Sequence, residues 1–301
     1  MKPILMICFC LTVITAKGQR KIDLEAHRGG RGIMPENSIV AMLHAIDLGV
    51  NTLELDCVIS KDGKVVVSHD VYMSSDFMLK PDGTEISKAE EKQLLLYGMT
   101  YDQIKNYDGG SKVHPQFPRQ KKMKTVKPLL SELIDSVERY IKVHGLKPVE
   151  YNLEIKSSAE GDDVAHPKPA TFVKLVMEVL KRKGITEKVI IQSFDVRPLQ
   201  VLHEEYKQQK LSYLTANKDS FSINLDKLGF VPNTISPYFT TIDESFVTAA
   251  HEQKVKVLPW TVNDEPSMKK MNALKVDGII SDYPEILVAL YGSYQTSDGI
   301  K

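Results

Sequence analysis

Thr52-Leu-Glu-Leu-Asp-Cys-Val-Ile59, the short link Ser60-Lys-Asp-Gly-Lys64 and Val65-Val-Val-Ser-His-Asp70 decide how this chain folds. Side chains two apart on a strand share a face, so Glu54 and Asp56 project together while Cys57 packs behind them as a small apolar group. The link has hairpin-turn composition and is too short for the crossover that a parallel neighbour needs. The Val65–Ser68 run is therefore expected to return antiparallel, which lands His69 beside the two carboxylates. Upstream, Ala26-His-Arg-Gly-Gly30 ends another apolar run and adds His27 and Arg28.

Outward from this stretch, β-branched runs alternate with segments of 3.6-residue periodicity, the pattern of a parallel sheet covered by helices. Strands are expected near Asp23–His27, Thr52–Ile59, Val149–Lys156, Val189–Ser193, Leu211–Thr215, Thr234–Ser236, Lys256–Trp260 and Gly278–Ser281. Helices are expected at Glu36–Leu48, Leu129–Val143, Pro169–Lys183, Val196–Tyr206, near Leu225, and at Asp243–Glu252, Glu265–Ala273 and Pro284–Leu290. Strand–helix units in this number predict an α/β fold, a TIM (β/α)8 barrel of typical size about 250 residues. An antiparallel hairpin follows strand 2. Between Val71 and Lys127 the rhythm stops, which predicts an inserted subdomain rather than a linker.

The 301 residues carry zero formal net charge and are 42% hydrophobic, a globular composition without the charge excess of a nucleic-acid binder. Met1–Ala16 is one lysine followed by an apolar run too short to span a bilayer. A secretory signal over residues 1–18 is expected, giving an exported periplasmic or secreted protein with no stable membrane insertion. The barrel domain then occupies residues 19–292, insertion 71–127 included, with a tail at 293–301. Removal of the signal leaves Cys57 without a disulfide partner.

Glu54 and Asp56, with Glu154 in Tyr151-Asn-Leu-Glu-Ile-Lys156, would bury three carboxylates at one barrel mouth. Like charges at short range drive one another's protonation, and one divalent cation relieves the conflict. Oxygen-only donors favour Ca2+ or Mg2+ over zinc. The other reading of these acids is a buried charge network with Arg28 and Lys156. His27 and His69 are candidates for an acid–base pair, and Arg28 and Lys156 for contacts with phosphoryl oxygens. Trp260, at the end of a strand, either closes over substrate or packs in the core. Glu36 and Asn37 read as helix-start residues. His44, His114, His144, His166, His203 and His251 receive no role, and the basic run from Lys112 to Lys127 reads as a solvated face ahead of substrate steering or contact with anionic lipid.

His27-Arg-Gly-Gly30, Pro35-Glu-Asn-Ser38, Glu54-Leu-Asp56, His69-Asp70, Glu154-Ile-Lys156, Gln192-Ser-Phe194, Trp260-Thr-Val-Asn263 and Ser281-Asp-Tyr-Pro284 stand in an order that resembles the glycerophosphodiester phosphodiesterase family. The resemblance implies a barrel with an inserted subdomain, and metal-dependent hydrolysis of deacylated phospholipid diesters to sn-glycerol 3-phosphate and an alcohol. It implies His27 and His69 as the acid–base pair, Glu54, Asp56 and Glu154 as metal ligands, and Arg28 and Lys156 as the phosphate clamp. Ser38, Cys57 and Ser281 depart mildly from the family's usual residues. A phospholipase C- or D-type lipid phosphodiesterase and a non-catalytic phosphodiester-binding module are the competing readings.

Overall fold

The computed structural model describes residues 22–292; the expected signal segment and the tail lie outside the described residues. Strands β1 (Asp23–Ala26), β2 (Thr52–Ile59), β4 (Glu150–Ile155), β5 (Val189–Ser193), β6 (Lys210–Thr215), β7 (Thr234–Pro237), β8 (Lys256–Val257) and β9 (Gly278–Ser281) run parallel in the order β8-β7-β6-β5-β4-β2-β1-β9. The ends of this path meet: the Asp277 N–H donates to Val257 O (2.8 Å), Ile280 N–H to Pro259 O (3.0 Å) and Val262 N–H to Ile280 O (3.0 Å). The sheet thereby rolls up as a TIM barrel. Strand β3 (Val65–Val67) pairs antiparallel with β2, Cys57 opposite Val67, so the expected hairpin is present.

Helices α1 (Ile39–Leu48), α4 (Leu130–His144), α5 (Pro169–Lys183), α6 (Val196–Glu205), α7 (Phe221–Leu228), α8 (Glu244–Glu252), α9 (Glu265–Ala273) and α10 (Pro284–Tyr291) cover the barrel. Helix α4 shows why: Leu130, Leu133, Ile134, Val137 and Ile141 form one buried stripe at helical spacing. Against such stripes lie the outward residues of the strands, among them Leu53, Leu55, Cys57, Tyr151, Leu153 and Ile155, in one continuous apolar cluster with Phe172, Val176 and Leu180. The opposite strand faces carry buried polar groups. Asn152 Nδ2 donates to Glu25 Oε2 across the lumen (2.8 Å), and the Ser212 and Ser236 hydroxyls pair at 2.9 Å. The hydrophobic core is thus a sleeve outside the barrel, which leaves the inside free for polar side chains.

Insertion 71–127 contains the short helices α2 (Lys88–Glu91) and α3 (Tyr101–Ile104) and has its own apolar cluster. Met73, Phe77, Met78, Ile86, Leu96 and Ile104 pack there on Val58 and Val66 of the hairpin. The run from Lys112 to Lys127 departs from a solvated face at its two ends: Lys127 is buried, and Lys112 Nζ donates to Ser75 O (2.7 Å). No helix among the described residues is long and apolar enough to cross a membrane.

If the sleeve carries the stability, Leu55→Ala, fully buried between Glu54 and Asp56, should cost about 2–5 kcal/mol. Val143→Ala, at a residue 72% exposed, should stay within about 0.5 kcal/mol. Denaturant midpoints measure both; similar values for the two would refute this placement of the core.

Candidate active site

Strand register assembles the acidic cluster. Asp56 lies opposite Glu154, and Glu154 opposite Gln192. Carboxylate oxygens of the buried Glu54, Asp56 and Glu154 lie within 4.8 Å of one another. Glu54 accepts from Gln192 Nε2 (3.0 Å) and from the Arg28 backbone N–H (2.8 Å). Asp56 Oδ2 accepts from Asn37 Nδ2 (2.8 Å), and Glu154 Oε1 from Lys156 Nζ (2.8 Å). Lys156 Nζ also stands 3.8 Å from Asp56 Oδ1, and Arg28 Nε 3.5 Å from Asp56 Oδ2.

Part of the charge network with Arg28 and Lys156 therefore exists, but it does not balance the cluster. Burial, reinforced by Asp56 and Glu154, pushes the Glu54 carboxyl well above its ordinary range. Burial also raises Glu154, against Lys156. At Asp56 burial works upward too, but the charges of His69, Arg28 and Lys156 outweigh it and keep that carboxyl low. Asp56 Oδ1 is buried without a hydrogen-bond partner. An oxygen-only donor set with surplus negative charge and an orphaned carboxylate oxygen fits a hard divalent cation.

Two histidines border this cluster, each fixed through Nδ1. His27 begins the turn that follows β1 rather than ending the strand. Its Nδ1–H donates to Asp282 Oδ1 at 2.5 Å, and its Nε2 is 4.0 Å from Glu54 Oε2. Burial alone would raise the Asp282 carboxyl, yet His27 and Arg31 hold it low; an ionised carboxylate only accepts, so Nδ1 bears the proton. Burial pushes the His27 imidazole down to about 4, against the pull of Asp282. His69 is delivered by the hairpin, where the Ser68 N–H donates to Asp56 O (2.9 Å). Its Nδ1–H donates to Asp70 Oδ1 (2.9 Å). Burial would raise Asp70, but His69 and Lys127 bring it down to about 2.

The loop from Arg28 to Ser38 corrects one expectation. Helix α1 starts at Ile39, and its cap is Ser38, which accepts from the Ala41 N–H (3.2 Å). Glu36 and Asn37 are site residues instead of helix-start residues. Glu36 accepts from Arg28 Nη1 at 3.1 and 3.2 Å, and Asn37, in a left-handed backbone conformation with φ 55°, both donates to Asp56 Oδ2 and accepts from the Asp56 N–H (3.2 Å). Gly29, at φ +78°, turns the chain where a Cβ would come within 2.8 Å of the Ala41 Cβ.

A pocket opens beside the cluster, with His27, Arg28, His69, Glu154 and Trp260 in its wall. Trp260 is held by its Nε1–H to Ser236 O (2.9 Å) and meets Phe194 edge-to-face at 5.3 Å. Arg28, Lys156 and Trp260 thus join Glu54, Asp56, Glu154, His27 and His69 in one place. Sequence reasoning missed Asp282, Arg31 and the partnership of Gln192 with Glu54. The available signal for Asp282 was its position just past the C-terminal end of a barrel strand, where such sites are built.

Residues 27–286 match the model of the glycerophosphoryl diester phosphodiesterase family. A glycerophosphodiester phosphodiesterase of Bacillus altitudinis is 27% identical, over 88% of this chain and 96% of the relative. A Silicibacter pomeroyi structure, described as a candidate glycerophosphoryl diester phosphodiesterase, superposes with a TM-score of 0.79 at 27% identity, covering 90% of this chain and 95% of that one. An Oleispira antarctica phosphodiesterase, determined in complex with its product sn-glycerol-3-phosphate, has the same fold, with a TM-score of 0.70 at 24% identity over 89% of this chain and 96% of that one. The order of motifs, the barrel and the match along nearly the whole described chain agree: this protein is an enzyme of the glycerophosphoryl diester phosphodiesterase family.

Proposed function

We propose that this chain hydrolyses glycerophosphodiesters to sn-glycerol 3-phosphate and an alcohol, with His27 and His69 as the acid–base pair and one Ca2+ or Mg2+ held by Glu54, Asp56 and Glu154. The observation that carries this reading is the pairing of each imidazole with a carboxylate through Nδ1, at one pocket that borders three buried acids. The product found in the Oleispira neighbour supports the choice of substrate class.

With Nδ1 occupied, each histidine has Nε2 available for proton transfer. His27, kept neutral by burial, takes the proton of the attacking hydroxyl, either water, which gives glycerol 3-phosphate directly, or the glycerol 2-hydroxyl, which gives a cyclic phosphate that water then opens. His69, entering the step doubly protonated, gives its Nε2 proton to the departing alkoxide as the P–O bond breaks. Arg28 and Lys156 face the phosphoryl oxygens, Arg28 being held in place by Glu36. Trp260 and Phe194 offer apolar surface to the carbon portion of the diester. When bound, the cation adds positive charge that stabilises developing charge on the phosphoryl oxygens.

His27→Ala and His69→Ala should each lower kcat by about 10²–10⁴-fold, with circular dichroism and melting temperature unchanged. Glycerophosphocholine hydrolysis with product quantified as glycerol 3-phosphate measures this, and near-normal turnover by either variant removes the acid–base assignment.

A chelator should abolish activity, and Ca2+ or Mg2+ should restore it. Because the Glu54 carboxyl is raised by burial and by its acidic neighbours, it must release its proton to take a cation. Ion affinity should therefore rise with pH as Glu54 ionises, and Glu54→Gln should weaken binding. For the metal-free protein the sign is opposite: stability from a raised carboxyl is fully present below the ordinary glutamate value of about 4.3 and lost as pH rises through the raised value. Calorimetric titrations of the ion at several pH values decide this, and an affinity that falls as pH rises contradicts it.

A further inference from the structure

A line of rings crosses the insertion between two cations. Lys127 Nζ stands 5.5 Å over the ring of Phe77, which stacks on His114 at 5.2 Å and 13°. His114 meets Phe117 at 4.9 Å, and the Arg31 guanidinium lies 4.7 Å over the far ring. Lys127, Phe77, His114 and Phe117 are all buried. His114 Nδ1 accepts the Gln116 N–H (3.2 Å), and burial lowers its pKa. The middle ring is therefore neutral, and carries no charge to repel the cation at either end.

Each end of this line reaches one histidine–aspartate pair. Lys127 Nζ donates to Ser68 Oγ (2.7 Å), and that hydroxyl donates to Asp70 O (2.6 Å), fixing the residue whose carboxylate holds His69. At the other end Arg31 Nε donates to Asp282 Oδ1 (2.7 Å), the same oxygen that accepts His27 Nδ1–H. The insertion is fastened there as well, through Gln120 Nε2 to Arg31 O (2.8 Å) and the Lys121 N–H to Ile33 O (2.9 Å). An apolar side chain would fill the Lys127 position without the cost of burying an ammonium group. A buried cation at this point is economical only if its charge and its donor hydrogens are used.

We propose that Phe77, His114 and Phe117, clamped between Lys127 and Arg31, form a positioning element that sets both histidine–aspartate pairs, so that the insertion governs the catalytic rate without touching substrate. The proposal rests on the acid–base reading of His27 and His69 given above. Displacement of a catalytic group by about 1 Å costs on the order of 10²-fold in rate, so loosening the line should appear in kcat.

The test uses the full chain, saturated with Mg2+ or Ca2+, hydrolysing glycerophosphocholine. His114→Ala, which opens the stack, and Lys127→Met, which keeps length but removes charge, should each lower kcat by about tenfold or more. KM and calorimetric affinity for the ion should stay near wild type, at a temperature well below each variant's melting point. His114→Phe, which retains a ring, should keep most of the rate. Wild-type kcat in His114→Ala or in Lys127→Met, a loss confined to KM, or a His114→Phe variant as slow as His114→Ala would each overturn the proposal. Should His114→Ala fail to fold, Lys127→Met carries the test alone. Turnover surviving in His27→Ala or His69→Ala sinks the acid–base reading itself, whereas abolished turnover there with full activity in His114→Ala sinks only the positioning role.

Discussion

Three carboxylates forced together inside a barrel mouth are the constraint around which the rest of the site is organised. Repulsion among Glu54, Asp56 and Glu154 is only partly met by Arg28 and Lys156, because each cation is shared: Arg28 is also committed to Glu36, and Lys156 divides itself between Glu154 and Asp56. The deficit is expressed unequally. Asp56, which has both Arg28 and Lys156 within 4 Å, keeps its charge, while Glu54 is driven toward its protonated form. A divalent ion removes the need for that protonation, which is why the cluster reads as a cation site that the protein's own charges prepare without completing.

Such a cluster is tolerable because the barrel does not rely on its interior for cohesion. The apolar sleeve between strands and helices, from Leu53 and Leu55 on β2 to Leu133 on α4 and Phe172 on α5, holds the strands in register. Register in turn holds Asp56 opposite Glu154, and a one-residue slip of β2 would turn Glu54 and Asp56 into the sleeve. Stability and chemistry occupy opposite faces of the same strands. Cys57 illustrates the division, being buried in the sleeve one residue after a cluster member.

What was legible in the sequence was what has short range. Alternation along Thr52–Ile59 and the turn at Ser60–Lys64 were enough to place Glu54, Asp56 and His69 together, since strand geometry and hairpin geometry are local rules. Helices such as Pro169–Lys183 were equally readable from their 3.6-residue period. The role of Asp282 was not, because its bond to His27 spans 255 positions; its place just past the end of a barrel strand marks it as a rim residue without naming its partner. Glu36 and Asn37 failed for a related reason: a local explanation was sufficient, and only the left-handed turn at Asn37 reveals that its amide is aimed at Asp56. His114 looked like any loop histidine, since a stack depends on rings brought together from separated parts of the insertion.

The two histidines, similar in sequence, are placed in unequal surroundings, and the inequality follows from how the chain reaches them. His27 sits on a tight turn after β1, enclosed by Asp282, Arg31 and Glu54, and burial there favours the neutral ring. His69 arrives at the end of a hairpin, its side chain about a third exposed at 32%, against 11% for His27. On the acid–base reading proposed above, one group accepts a proton and another supplies one, and the fold gives the two imidazoles different solvation for those tasks. The difference arises because His27 lies on a turn closed in by the barrel wall, whereas His69 follows a hairpin strand outside the ring of parallel strands.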